Sequence, residues 1–129
     1  MNQIDDIASE IVDASLKIHK ELGPGLLESA YETCLEHELK RRGFQAERQK
    51  IQPIHYDGLI IDAGYRIDLL VGDSIIIELK AVEQLLPVHQ AQLMTYLRLS
   101  KKPLGFLINF NVPLIKDGIR RIANQFKES

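Results

Sequence analysis

Apolar residues recur at helical spacing through Ile4, Ile7, Ile11, Ala14, Leu16 and Ile18, which predicts a first helix from about Ile4 to Leu22. Gly23-Pro24 ends it, because glycine supplies a left-handed cap and proline cannot continue the helix. Pro24 then suits the first turn of a second helix running to about Arg42 and capped by Gly43. The basic run Lys40-Arg41-Arg42 suits the C-terminal dipole of that helix. From Gln45 the period changes to two. Ala46 to Tyr56 reads as a strand interrupted at Pro53, which suggests an edge position or a bulge. Asp57-Gly58 is a hairpin signal, Leu59 to Ala63 a further strand segment, and Gly64 a kink before Tyr65 to Val71. Gly72-Asp73 turns into the strand Ser74 to Lys80. Helical spacing returns from Glu83 to about Lys101, with Leu86, Leu93, Met94 and Leu97 on its apolar face and Pro87 leaving its start open. Leu104 to Phe110 reads as a buried central strand, Ile115 to Ile122 as a final edge strand, and Asn124 to Ser129 as a frayed end. The order α-α-β-β-β-α-β-β predicts an α/β fold with a mixed sheet flanked by helices, in a single domain over residues 1–129.

One apolar strand breaks its own pattern. In Ile75-Ile76-Ile77-Glu78-Leu79-Lys80, Glu78 and Lys80 lie two apart and share a face with Ile76, while Ile75, Ile77 and Leu79 form the other face. A carboxylate and an ammonium in mid-sheet are costly to bury unless paired or metal-bound. Asp68, on the preceding strand, could join them: two carboxylates and a lysine can hold a hard divalent cation with a further cation beside it. Register decides whether they meet. A plain two-residue turn at Gly72-Asp73 would pair Asp68 with Ile77 and turn its side chain away from Glu78, so the pair requires a three-residue turn or a β-bulge.

Composition narrows the classes. At 129 residues and 45% hydrophobic content the chain has room for a real core. No run approaches the roughly 20 apolar residues of a membrane span, and Met1 to Asp6 lacks the basic start and apolar run of a secretory signal. The lone Cys34 excludes an intramolecular disulfide and points to a reducing, cytoplasmic compartment. It shares a helical stripe with Leu27, Ala30 and Tyr31, so it reads as a core residue. A net charge of −2 is not that of an overall basic nucleic-acid binder. Phosphate contacts need only a local patch, and Lys40-Arg41-Arg42, Lys101-Lys102 and Lys116 with Arg120-Arg121 are either such patches or solvated helix ends. No His or Cys pair has zinc-ligand spacing, and there is no Walker loop, G-x-G-x-x-G or nucleophile elbow.

Three motifs together carry a family resemblance. Asp68, a spacer and Glu78-Leu79-Lys80 resemble the PD-(D/E)XK nuclease superfamily, with Ile67 where proline commonly precedes the aspartate. Gly25-Leu26-Leu27-Glu28-Ser29-Ala30-Tyr31 reads as G-x-x-E-x-x-Y, the name-giving motif of the small GxxExxY family placed in that superfamily. Gln92-Leu93-Met94-Thr95-Tyr96 is similar to the Q-x-x-x-Y motif of its exonuclease-like members. The resemblance implies a restriction-endonuclease-like core and metal-dependent hydrolysis of phosphodiester bonds, of DNA above all. It implies Mg²⁺ or Mn²⁺ on Asp68 and Glu78, with the Leu79 carbonyl as a further donor. Lys80 would act on the attacking water and on the phosphorane-like transition state, and Glu28 would reach the metal site from the second helix. Glu28 could equally serve only its helix dipole, and Glu32 is a weaker substitute. Gln92 and Tyr96, four apart on one helix face, would serve the site or DNA, or form an ordinary helix face. Tyr31 would support the site or simply pack in the core. With no additional domain to select a substrate, a homodimer or a protein partner is implied. The alternative is a catalytically inactive nuclease-fold module binding protein or nucleic acid.

Overall fold

The computed structural model describes residues 3–62 and 64–124. Two helices, α1 (Gln3–Leu22) and α2 (Glu28–Arg41), precede the strands β1 (Ala46–Ile51), β2 (Ile54–Tyr56), β3 (Leu59–Ile61), β4 (Arg66–Val71) and β5 (Ile75–Lys80). Helix α3 (Pro87–Ser100), strand β6 (Leu104–Asn109), a 3₁₀ turn (Ile115–Gly118) and β7 (Ile119–Ala123) complete the chain order. Five strands form one sheet in the order β1-β4-β5-β6-β7, with only β5 and β6 parallel. The strands of this sheet follow the expected order, three before α3 and two after it. The two long strand readings divide, however. Pro53 offers no amide to the ladder and Gly64 adopts φ +100°, so β2 and β3 leave the main sheet and pair only with each other.

Alternation along β5 sets the layers. Ile75, Ile77 and Leu79 join the core formed with Ile7, Ile11, Leu35 and Leu39 of α1 and α2. Ile76 faces the other way, with Leu93 and Leu97 of α3. Two glycines permit close approach. A Cβ on Gly105 would stand 2.9 Å from Leu93, so glycine there lets α3 lie against β6, and one on Gly72 would stand 2.8 Å from Ile7.

Helix α2 starts four residues later than Pro24. Gly25 takes φ +104°, the chain bends at Pro24 and Leu26, Leu27 is extended, and helical geometry begins at Glu28. Leu27 is therefore 78% exposed and leaves the core stripe, although Cys34 still packs against the core. Leu16 is also outside it, at 43% exposure. Helix α3 begins at Pro87, where a missing amide is harmless at the first helical position. The His89 ring nitrogen accepts the Leu86 N–H at 3.0 Å. The expected last strand is half 3₁₀ turn. Asn124 is tied to the Leu97 and Lys102 carbonyls through its side chain, and residues 125–129 of the expected frayed end lie outside the described residues. Among those described, no helix is long and apolar enough to cross a membrane.

The two N-terminal helices are clasped by Glu38. Its carboxylate accepts from Arg42 Nε at 2.8 Å, Arg41 at 2.9 Å and Lys17 of α1 at 3.1 Å, and Arg42 also reaches Asp13 of α1 at 2.8 Å. Hydrogen bonds from Arg41 and Arg42 hold the Glu38 carboxyl down at about 2. Because the folded value lies below the ordinary 4.5, the stabilisation is complete above that value and is lost as pH falls towards 2. Glu38→Gln is expected to cost about 1–3 kcal/mol at neutral pH and to flatten the acid limb of stability. Urea unfolding of both proteins between these pH values measures it, and parallel acid limbs would contradict it.

Candidate active site

The turn between β4 and β5 satisfies the register condition. Ser74 N–H bonds the Val71 carbonyl at 3.1 Å, Gly72 and Asp73 take φ +58° and +54°, and Ser74 is then the extra residue before pairing resumes. The ladder pairs Val71 with Ile75, Leu70 with Ile76 and Leu69 with Ile77. Continued by one step, this register sets Asp68 opposite Glu78. There the backbone ladder gives way to side chains. Leu79 N–H donates to the Asp68 carboxylate at 2.9 Å, and Asp68 N–H reaches the Glu78 carboxylate at 3.4 Å.

On its other side Asp68 also lacks a regular partner. β1 pairs Arg48 with Leu69 and Lys50 with Ile67, but Gln49 between them sits at φ +53°, uncommon for a residue with a side chain. Buried Glu32 of α2 explains its position, accepting from Gln49 Nε2 at 2.9 Å and from Arg48 Nε at 3.2 Å. Glu32 is thus committed to holding β1, one turn beyond Glu28.

Glu78 is 5% exposed. Burial first, and the Asp68 carboxylate second, push its carboxyl up to about 9. Glu28 approaches from α2; its carboxyl is raised by burial, Lys80 opposes that shift, and Asp68 adds to it. Tyr96 of α3 completes the ring of groups. Burial and then Glu78 raise its hydroxyl, which accepts Gln92 Nε2 at 3.1 Å. Gln92 itself is exposed. Asp68, Glu78, Lys80, Glu28 and Tyr96 therefore interact electrostatically where α2, α3, β4 and β5 meet.

Tyr31 acts at one remove. It is fully buried, stacked on Phe110 with ring centroids 4.5 Å apart. Its hydroxyl donates to the Gly23 carbonyl at 2.6 Å and accepts Leu26 N–H at 3.1 Å. It straps the loop that delivers Glu28. Asn109 escaped the sequence reading and does comparable work beside Lys80, its register partner on β6. Its buried amide accepts Val82 N–H at 3.1 Å and donates to the Val82 carbonyl at 2.9 Å, fixing where the chain leaves β5. The available signal was a lone amide ending an otherwise apolar strand.

Among the described residues no three His, Cys, Asp or Glu side chains converge as a ready-made metal cage. Asp68 and Glu78 nevertheless suit a magnesium-type ion, which commonly takes one or two carboxylates and leaves other positions to water and substrate. The raised Glu78 carboxyl reflects its burial first and the nearby Asp68 carboxylate second, and a bound cation would favour its ionised form.

A family model for the PD-(D/E)XK nuclease superfamily matches residues 5–122. No curated protein and no solved structure gave a match.

Because its folded value is raised above the ordinary 4.5, neutral Glu78 contributes stability fully below that value, and the contribution is lost as pH rises towards 9. Glu78→Gln keeps the neutral form. In chelator, the variant is expected to match the parent near pH 5 and to exceed it by about 1–3 kcal/mol in mildly alkaline buffer. Thermal melts at the two pH values measure this, and a variant less stable at the higher pH would refute it.

Proposed function

The chain belongs to the PD-(D/E)XK nuclease superfamily, and on that premise we propose that it is a metal-dependent nuclease hydrolysing phosphodiester bonds of DNA. The observation that carries the reading is the meeting of the Asp68 and Glu78 carboxyls with Lys80 and Glu28 at the inner strands β4 and β5 of the sheet. Asp68 and Glu78 would hold Mg²⁺ or Mn²⁺, which when bound supplies positive charge against the phosphoryl oxygens. Water attacks phosphorus in line and the sugar oxygen departs with a proton, leaving one hydroxyl and one phosphomonoester end. Lys80 orients the water and offsets charge developing on the non-bridging oxygens. Glu28, its carboxyl raised by burial, is the acceptor for the water proton in this scheme. Gln92 and Tyr96 line the site from α3.

Gly25 at a positive φ that glycine adopts readily, Glu28 at the first helical position and the Tyr31 strap support placing the chain in the GxxExxY family. The lone Cys34 supports a cytoplasmic setting. One observation favours the other reading, a nuclease-fold module without catalysis. Lys40, Arg41 and Arg42 are ion-paired to Glu36 and Glu38, and Lys102 to Asp73, so these clusters offer phosphates little free charge.

Purified protein with Mn²⁺ or Mg²⁺ is expected to cut at least one of supercoiled, linear, single-stranded or branched DNA. Asp68→Asn, Glu78→Gln and Lys80→Ala should each lower the rate at least about 10²-fold while keeping the circular dichroism of the parent. Full activity in any of the three would sink the assignment, and RNA in the same panel tests the choice of DNA. No cutting by parent or variants would favour the non-catalytic module.

A further inference from the structure

The β2–β3 hairpin is an arm without cover. Its register pairs Ile54 with Ile61 and Tyr56 with Leu59, and directly paired residues share a face, so one face is wholly apolar. Tyr56 is 72% exposed and Leu59 57%. On the other face Ile60, opposite His55, is 61% exposed. Among the described elements, β2 and β3 pack substantially only on each other. A two-stranded hairpin is at best marginal alone in water, and a contiguous apolar surface of this kind marks an interaction site.

Charge identifies what can cover it. Between Lys50 and Arg66 the chain contains no lysine or arginine, but it contains Asp57 and Asp62, so the arm repels phosphate and is unsuited to nucleic acid. Its complement lies elsewhere on the same molecule. A groove of about 490 Å³ between α1 and the segment before β7 is walled by Leu16, Pro24, Pro113 and Leu114 and rimmed by Lys20 and Lys116. No carboxylate lines it, and neither lysine has an acidic partner among the described residues. Two acids on an apolar arm thus match in charge two lysines around an apolar groove. The groove beside α3 also carries a cation, Arg120, but that guanidinium donates to the Asp117 and Ile119 carbonyls. Two further grooves include Asp13, and Glu21 with Glu38.

We propose that the β2–β3 arm of one copy of this chain docks in the Lys20–Lys116 groove of a second copy, and reciprocally, giving a closed two-fold dimer. A two-fold pair uses both arms and both grooves and leaves neither unmatched. The inference rests on the arm and the groove alone, not on the nuclease reading, so its test uses neither metal nor nucleic acid.

Sedimentation velocity across a concentration series is expected to give the mass of two chains for the parent protein. Asp57→Lys with Asp62→Lys, and separately Lys20→Asp with Lys116→Asp, should each give the mass of one chain. An equimolar mixture of the two double variants should restore the two-chain mass, because each arm then meets a groove of opposite charge; this also shows that both variants fold. Arg120→Asp should leave the dimer intact. A parent monomeric throughout the series, a double variant that stays dimeric, or a mixture that stays monomeric overturns the proposal.

Discussion

A carboxyl group buried in the middle of a sheet is the constraint around which this molecule is arranged. Glu78 sits between apolar neighbours on β5, almost wholly out of water, with a second acid opposite it. Desolvation and like charge both oppose ionisation there, so the pair persists only because the surrounding fold is stable enough to hold it. Its position follows from one extra residue. With Ser74 in the turn, the register brings Asp68 opposite Glu78; without it, Asp68 would face the other side of the sheet.

Around that pair the backbone gives up regular pairing in favour of side-chain bonds. Leu79 N–H goes to the Asp68 carboxylate, and Gln49 opposite Asp68 on β1 leaves the strand conformation. Glu32 holds Gln49 and Arg48, Tyr31 holds the loop before Glu28, and Asn109 holds the chain just beyond Lys80. None of these three carries the chemistry in the scheme above. Each fixes the backbone on one side of the acidic pair, which is what positioning within a fraction of an ångström requires.

The basic residues divide along similar lines. Lys17, Lys40, Arg41, Arg42 and Arg48 neutralise acids on α2 and fasten helices to one another and to β1, so the runs of positive charge in the sequence are largely structural. Lys20 and Lys116 stand outside those networks, around an apolar groove. Ion pairing, visible only once the chain is folded, separates cations that tie the structure together from those that stand outside such networks.

By itself, the sequence determined whatever depends on local order. The period of apolar residues marked α1, α3 and β4 to β6, because a helix or strand with one buried face must repeat its apolar positions at that element's own period. The residue types at Asp68, Glu78 and Lys80 marked an acidic centre on a buried strand. Where glycine and proline competed with that pattern the reading shifted: α2 began after Gly25, not at Pro24, and Pro53 and Gly64 detached an arm read as part of the main strands. The tertiary structure alone decided what depends on register and on long-range contact. A periodic pattern is nearly unchanged by one residue more or less in a turn, yet that residue reverses the face on which Asp68 lies. The roles of Glu32, Tyr31 and Asn109 likewise reside in hydrogen bonds to partners that only the fold brings within reach.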